Sequence, residues 1–166
     1  MKTLFIHIYN HYSKPLLFLL VLLIVAGHIY NFYRFNPCSS EYEYGLYETE
    51  KVNGTRMQWT WKRSYLCEIA KTDFLRLTVY AAPYNIDKGG LTLNLFVDDN
   101  FLDKVHFVKS GFRRLAYHLP DITGKKISLK TEVNRTFNPY KLGLSKDRTK
   151  NREQGIAVSP ISWKEK

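Results

Sequence analysis

Two tryptophans, a tyrosine and two arginines have the side chains best suited to holding a flat, polar ligand such as a sugar. Aromatic rings stack on the apolar C–H face of a sugar ring, and an arginine donates several hydrogen bonds from a planar fork. The candidate contacts are Trp59, Trp61, Tyr140, Arg148 and Arg152. Because Trp59 and Trp61 are two residues apart in an alternating segment, the spacing favours a core position for both, with an exposed aromatic platform as the alternative.

A cluster of oxygen-bearing side chains follows one predicted strand. Asp98, Asp99, Asn100 and Asp103 lie close enough together to offer ligands to a hard cation such as Ca²⁺. Their spacing is not that of an EF-hand loop, and Asp and Asn are common in turns. The sequence therefore predicts a turn here and no metal site.

Catalytic residues are not expected. A glycan-cleaving enzyme needs two carboxylates across a cleft, and no such pair stands out among acidic residues that fall in turns, at exposed positions or near Lys and Arg. His106 and His118 lie in predicted strands without a nearby Cys or Ser motif, which indicates structural roles. No hydrolase, zinc-protease or phosphate-loop motif occurs, so we expect neither an enzyme nor a cofactor.

Period-two alternation of apolar residues dominates the chain after residue 41 and is typical of half-buried strands. The Asn53-Gly54 pair predicts a hairpin turn. The predicted inward-facing residues include Leu75, Leu77 and Val79; Leu91, Leu93, Leu95 and Val97; and Tyr65, Cys67 and Ile69. Eight or nine strands with turns every 8–12 residues predict an all-β fold, an antiparallel β-sandwich resembling a jelly roll, with a last strand in residues 155–163.

An uncharged stretch, residues 15–33, predicts a transmembrane signal anchor ahead of this domain. At about 1.5 Å per residue, its 19 residues would reach roughly 28 Å. More basic residues precede the stretch than directly follow it, which places the N-terminus inside the cell. The predicted organisation is a cytoplasmic tail (1–14), the span (15–33), a linker (34–40) and an exported domain (41–166). A cleaved signal peptide, cut near residue 27, is the alternative.

Charge and cysteine content fit an exported domain. Residues 34–103 hold 8 basic and 10 acidic residues, whereas residues 104–166 hold 15 and 5. The basic half suits anionic lipids or an acidic polysaccharide, or only maintains solubility; nucleic acid is not expected. Cys38 and Cys67 permit a disulfide that closes a loop of about 30 residues, and two independent thiols are the alternative.

The connection at residues 134–154 is long for a compact domain, which indicates a loop packed in its own right. Phe137, Pro139 and Leu142 could anchor it, Gly143 permits a sharp bend, and Asp147 could pair with the arginines at 148 and 152.

Several segments resemble the small carbohydrate-binding-like jelly-roll modules attached to bacterial membrane glycosyltransferases and envelope polysaccharide proteins. The resemblance covers residues 45–163 through QWTW (58–61), GFRRLAYHLP (111–120), ISLKTEV (127–133) and the long loop. The matching loop residues are Phe137, Pro139, Gly143, Ser145, Asp147, Arg152 and Gly155. The chain departs in its longer spacing from residue 147 to 152 and in Gln154, where the modules have Leu. It also has no multi-pass catalytic half, so the resemblance implies no transferase activity.

The sequence therefore predicts a single-pass, non-catalytic protein of the bacterial inner membrane, whose β-sandwich faces the periplasm or exterior. Its expected partner is an envelope glycan, or an envelope protein such as a membrane glycosyltransferase. A scaffolding subunit without a ligand is the alternative, and a glycan-active enzyme is a third hypothesis.

Overall fold

A computed structural model describes residue 15 and residues 17–30, 38, 44–86 and 89–164. The chain divides into two compact units, Met1–Ser39 and Ser40–Lys166. In the first unit, residues 17–30 form an α-helix. Among the described residues, no helix has both the length and the apolar character needed to span a membrane. Residues 16 and 31–33 of the predicted span, the predicted tail 1–14 and most of the linker lie outside the described residues.

The described part of the second unit is built from ten strands in two antiparallel sheets, which confirms the predicted β-sandwich. The strands are β1 (Leu46–Val52), β2 (Thr55–Thr60), β3 (Arg63–Ile69), β4 (Phe74–Ala81), β5 (Leu91–Val97), β6 (Asn100–Phe107), β7 (Gly111–His118), β8 (Lys126–Val133), β9 (Ala157–Val158) and β10 (Ser162–Trp163). Short 3-10 turns occur at Pro83–Asn85 and Arg148–Lys150.

The last predicted strand, residues 155–163, is interrupted. β7 pairs with β4 along its whole length. Since a strand has two edges, β9 and β10, which also pair with β4, lie one after the other along the opposite edge. Pro160 between them has no N–H for the ladder. There the Ser159 hydroxyl accepts a hydrogen bond from the Thr78 N–H at 2.9 Å.

The strand order follows directly from these pairings. Counting β9 and β10 as one strand, the first sheet runs β1, β2, β9/β10, β4, β7 and the second runs β3, β8, β5, β6. If β1 is treated as an added edge strand and β2 is numbered first, the sheets read 1-8-3-6 and 2-7-4-5. The chain therefore crosses repeatedly between the two sheets.

The core between the sheets is mainly aliphatic, with Phe107 and Trp163 as its buried aromatic residues. Leu75 and Val79 of β4 and Leu91, Leu93 and Leu95 of β5 have no exposed surface, as their alternation predicts. Full burial of such a side chain contributes about 1.5–3 kcal/mol to stability relative to its exposure. The inner faces of the two sheets therefore supply most of the driving force for folding.

A hydrogen bond between side chains closes one open side of the sandwich. The Tyr117 hydroxyl of β7 donates to the Asp103 carboxylate of β6 at 2.7 Å, linking the outermost strands of the two sheets. Burial, followed by this hydrogen bond and the carboxylate charge, raises the pKa of Tyr117 well above 10.0. The phenol therefore remains a neutral donor.

The predicted orientation of β3 is wrong. Leu66 is buried, Tyr65 and Cys67 are half-buried, and Ile69 is 63% exposed. The chain leaves the first sheet at Trp61 and enters the second at β3, so the alternation of β2 does not continue in phase across the break. Cys67 is disulfide-bonded, as is Cys38.

Candidate ligand-binding groove on the outer face of the first sheet

A second apolar layer lies on the outer face of the first sheet, away from the inter-sheet core. Trp59 of β2 pairs with Ala157 of β9, which pairs in turn with Tyr80 of β4. These three residues therefore point to the same face. The neighbouring Val158 and Val79 form the next register pair and point inward, into the aliphatic core.

The loop at residues 134–154 covers this layer. Phe137 and Gln154 form an isolated antiparallel bridge at its base, with nitrogen-to-oxygen distances of 2.8 and 2.7 Å. Within the loop, next to this bridge, the Asn138 side-chain amide donates to the Asn151 side-chain oxygen at 3.1 Å. The two ends of the loop are therefore held together, and Phe137 is fixed over the sheet.

The aromatic rings of this region touch one another at right angles or at a tilt. The Trp59 ring meets Phe137 edge-on at 5.5 Å between centroids, and Tyr80 at 6.2 Å. Tyr84, from the 3-10 turn after β4, contacts Phe137 at 6.0 Å. Such arrangements stabilise an aromatic pair by about 0.5–1.5 kcal/mol beyond the burial of area.

An open groove of about 370 Å³ lies along these rings. Its aromatic lining consists of Trp59, Tyr80, Tyr84 and Phe137. The remaining lining residues are Glu50, Lys51, Val52, Asn53, Ala82, Pro83, Pro139, Leu144, Ser145, Lys150 and Gln154. Tyr84 is 56% exposed, whereas Trp59 is 7% exposed and forms part of the floor.

Polar groups border the groove. The Lys150 ammonium forms an ion pair with the Glu50 carboxylate, which joins the loop to β1. Asn53, at the tip of the hairpin between β1 and β2, and Ser145 in the loop add hydrogen-bonding groups. An apolar aromatic wall beside amide, hydroxyl and charged groups suits a ligand with one apolar face and several hydroxyls.

Gly155 shows why the chain can enter β9 so close to β2. A Cβ atom there would lie 2.6 Å from the Trp61 carbonyl oxygen and 2.8 Å from the Thr60 hydroxyl. The Gly155 N–H also donates to the Thr60 carbonyl at 2.6 Å. We therefore expect that a larger residue at position 155 would displace the loop.

Two other predicted loop residues, Pro139 and Gly143, have clear positions. Pro139 is buried and lines the groove. Gly143 has a φ of +70°, which glycine adopts without strain, and it ends a tight turn. The Gly143 N–H donates to the Tyr140 carbonyl at 3.0 Å. Asp147 is exposed, and its carbonyl accepts from the Lys150 N–H at the 3-10 turn.

Arg152 lies over a tyrosine ring of β1. Its guanidinium carbon is 4.0 Å from the centre of the Tyr47 ring, and the Tyr47 hydroxyl donates to the Glu153 carbonyl at 2.7 Å. Burial raises the pKa of Tyr47, the nearby Arg152 charge lowers it, and the Glu153 charge raises it, with a net upward shift. Arg152 therefore fastens the end of the loop and does not line the groove.

The other predicted contacts are dispersed. Trp59 belongs to the groove, but Trp61 is 46% exposed at the break between β2 and β3 and does not line it. Tyr140 is half-buried in the loop turn and Arg148 is exposed in the 3-10 turn, and neither lines the groove. The structure thus brings one of the five predicted contacts to this groove.

The acidic cluster after β5 is divided among separate partners. Asp98 and Asp99 have positive φ angles of 49° and 62° and form the turn. The Asp98 carboxylate accepts a hydrogen bond from the Ser128 N–H. Asp99 forms an ion pair with the Lys130 ammonium of the second sheet at 3.0 Å. The Asp103 carboxylate accepts the hydrogen bond from the Tyr117 hydroxyl. In the part of the chain that the structure describes, no group of three His, Cys, Asp or Glu residues could hold a metal ion.

Sequence reasoning missed Tyr80 and Tyr84 as groove residues. Tyr80 occupies the outward position of a strand whose inward positions are aliphatic, and Tyr84 follows Pro83 in a loop. An aromatic residue at an outward strand position or in a turn was the available indication, because such positions do not require a large apolar side chain.

Comparison with known protein families finds no family that matches this chain, and comparison with curated proteins also finds no match.

Proposed function

We propose that this protein binds a glycan in the aromatic groove and has no catalytic role. The observation that carries the proposal is the meeting of four aromatic rings with a polar border in one open groove of about 370 Å³. Sugar rings present an apolar C–H face and a rim of hydroxyls, which matches this division of the lining. The exposed Tyr84 ring is positioned for stacking, and Asn53 and Ser145 are positioned for hydrogen bonds.

The fold and the N-terminal segment support a place in a bacterial cell envelope. The 1-8-3-6 and 2-7-4-5 strand order supports a jelly roll, the architecture implied by the resemblance to envelope polysaccharide modules. Disulfide-bonded cysteines are typical of exported domains. The uncharged sequence at 15–33 and the basic residues ahead of it are the basis for including an inner-membrane anchor in this proposal, with the domain outside the cytoplasm.

Calorimetric titration of the full-length protein with neutral and acidic oligosaccharides tests glycan binding. The protein should be kept in a detergent without a sugar headgroup, since an alkyl glycoside would compete for the groove. We expect saturable binding that Tyr84→Ala weakens about 5- to 10-fold, the loss of one stacked ring. Binding should quench or shift tryptophan fluorescence, because Trp59 forms part of the groove floor.

Tyr44→Ala is the matched control, because Tyr44 is 53% exposed, like Tyr84, but does not line the groove. It should leave the affinity unchanged. Absence of binding to every oligosaccharide would refute the proposal and favour the alternatives, a protein partner such as a membrane glycosyltransferase or a scaffolding role. Equal losses in both variants would show that the glycan does not use the groove.

A further inference from the structure

Two arginines line a second groove on the outer face of the first sheet. Arg76 of β4 is opposite Ala116 of β7, and Arg114 of β7 is opposite Thr78 of β4, so the two guanidinium groups project from the same face at diagonal positions. A groove of about 260 Å³ contains both. Its other lining residues are Leu77, Thr78, Leu115, Ala116, Ser159 and Ser162.

Among the described residues that line this groove, three carry hydroxyls and none carries a carboxylate. Outward positions of β4 and β7 carry aromatic, hydroxyl, alanine, histidine and arginine side chains, with no Asp or Glu. Ser162 of β10 is directly opposite Arg76. Among the described residues, neither Arg76 nor Arg114 forms an ion pair or a side-chain hydrogen bond. Two uncompensated guanidinium groups beside hydroxyl donors form a site for an anion.

This arginine groove lies on the same face as the aromatic groove. Both are lined by outward residues of β4, Arg76 in one and Tyr80 in the other. The two Cα atoms are four positions apart along the strand, a distance of about 13 Å at the usual rise per residue. Phe112 of β7 packs against Tyr80 at a tilt of 41°, with 4.7 Å between ring centroids, and extends the apolar surface on this face. An oligosaccharide could therefore contact both grooves.

We propose that Arg76 and Arg114 form an anion subsite, and that the glycan of this protein is an acidic one whose carboxylate, sulfate or phosphate group is held there. This inference rests on the glycan-binding function proposed above and specifies the class of glycan. Stacking in the aromatic groove accepts sugars of many kinds, whereas the arginine groove selects for negative charge.

Paired glycans provide the first test. The full-length protein is titrated with polygalacturonate oligomers, with the same oligomers after carboxyl reduction, and with sulfated and unsulfated forms of one galactan. We expect the charged member of at least one pair to bind about tenfold more tightly or better, the equivalent of one charge-assisted hydrogen bond. The variant Arg76→Gln/Arg114→Gln should lose this preference and keep its affinity for the neutral member.

Arg113→Gln is the control for net charge. Arg113 is adjacent to Arg114, but it points to the opposite face of β7 and lies 5.0 Å from the centre of the Phe107 ring. It should retain the preference for the charged glycan. If it loses that preference as fully as the double variant does, general electrostatics explain the effect and the subsite is refuted.

Inorganic sulfate provides a readout that does not depend on glycans. Side-chain Nε–H resonances of Arg76 and Arg114 are followed by NMR on addition of sodium sulfate, with sodium chloride of equal ionic strength as reference. We expect sulfate-specific shifts at both arginines that saturate. Shifts without binding of any glycan would support the subsite while refuting the proposed function. Glycan binding without charge preference and without sulfate shifts would refute the subsite alone.

Discussion

The two faces of the first sheet differ in what they are made of and in what they can do. The inner face is mainly aliphatic, with Trp163 and Tyr117 beside Leu75, and is buried against the second sheet. The outer face carries aromatic residues under the long loop at one side and exposed or half-exposed polar residues, including the two arginines, at the other. The comparison indicates that stability resides mainly on the inner face and that ligand contacts belong to the outer face. Substitutions on the two faces should therefore have separable effects.

The largest effect on stability is expected on the inner face. Leu93→Ala removes a side chain with no exposed surface from β5 and should lower the free energy of unfolding by about 3 kcal/mol, because the close-packed core cannot collapse fully around the cavity. Urea denaturation followed by circular dichroism measures this loss. At low temperature, where the variant remains folded, its affinity for oligosaccharides should equal that of the wild type. A weakened affinity would contradict the separation of the two faces.

Phe137→Ala should have the reverse pattern on the outer face. The loss of stability should be about 2 kcal/mol, because the ring is buried but the space it leaves opens to the groove and admits water. Glycan affinity should fall at least tenfold, since Phe137 contacts both Trp59 and Tyr84. Hydrogen exchange should show faster exchange in residues 134–154 than in β5. Equally accelerated exchange in residues 134–154 and in β5 would show that the outer aromatic layer and the aliphatic core unfold together.

A smaller effect is expected at the open side of the sandwich. Tyr117→Phe removes the hydrogen bond to Asp103 and should cost about 1–2 kcal/mol at pH 7 without changing glycan affinity. Because the folded state raises the pKa of Tyr117 above its ordinary value of 10.0, the wild type should lose stability as the pH rises above 10. The Tyr117→Phe variant has no phenol to ionise, so the free energies of unfolding of the variant and the wild type should converge as the pH rises above 10. A constant difference up to pH 11.5 would contradict this explanation.

The parts of the fold that depend on local pattern were predictable from the sequence. Leu91, Leu93 and Leu95 alternate with polar residues because one face of β5 is buried, and this pattern is visible without knowledge of any partner strand. The Asn53-Gly54 turn follows likewise from two residues that tolerate positive φ, here 47° and 82°. Gly155 was identified within the loop motif, and the structure gives its physical reason.

The candidate site depends on which strands become neighbours, and the sequence does not contain that information locally. Trp59 and Tyr80 converge because β9 lies between β2 and β4, although it comes about 100 residues later than β2. Arg76 and Arg114 become diagonal neighbours only through the register of β4 with β7. The same limitation explains the wrong orientation of β3, where the chain changes sheets.

Mapping the protein's chemical-shift changes on glycan binding tests most directly the claim that the aromatic groove is the glycan site. The ¹⁵N-labelled full-length protein is titrated with the oligosaccharide of highest affinity, and backbone and indole resonances are followed. The shifts should concentrate at the Trp59 indole, Tyr84 and Ser145, with few changes at Trp61 or in the hairpin of β5 and β6. Saturating shifts confined to that hairpin or to Trp61, with the groove unchanged, would contradict the assignment of the aromatic groove as the glycan site.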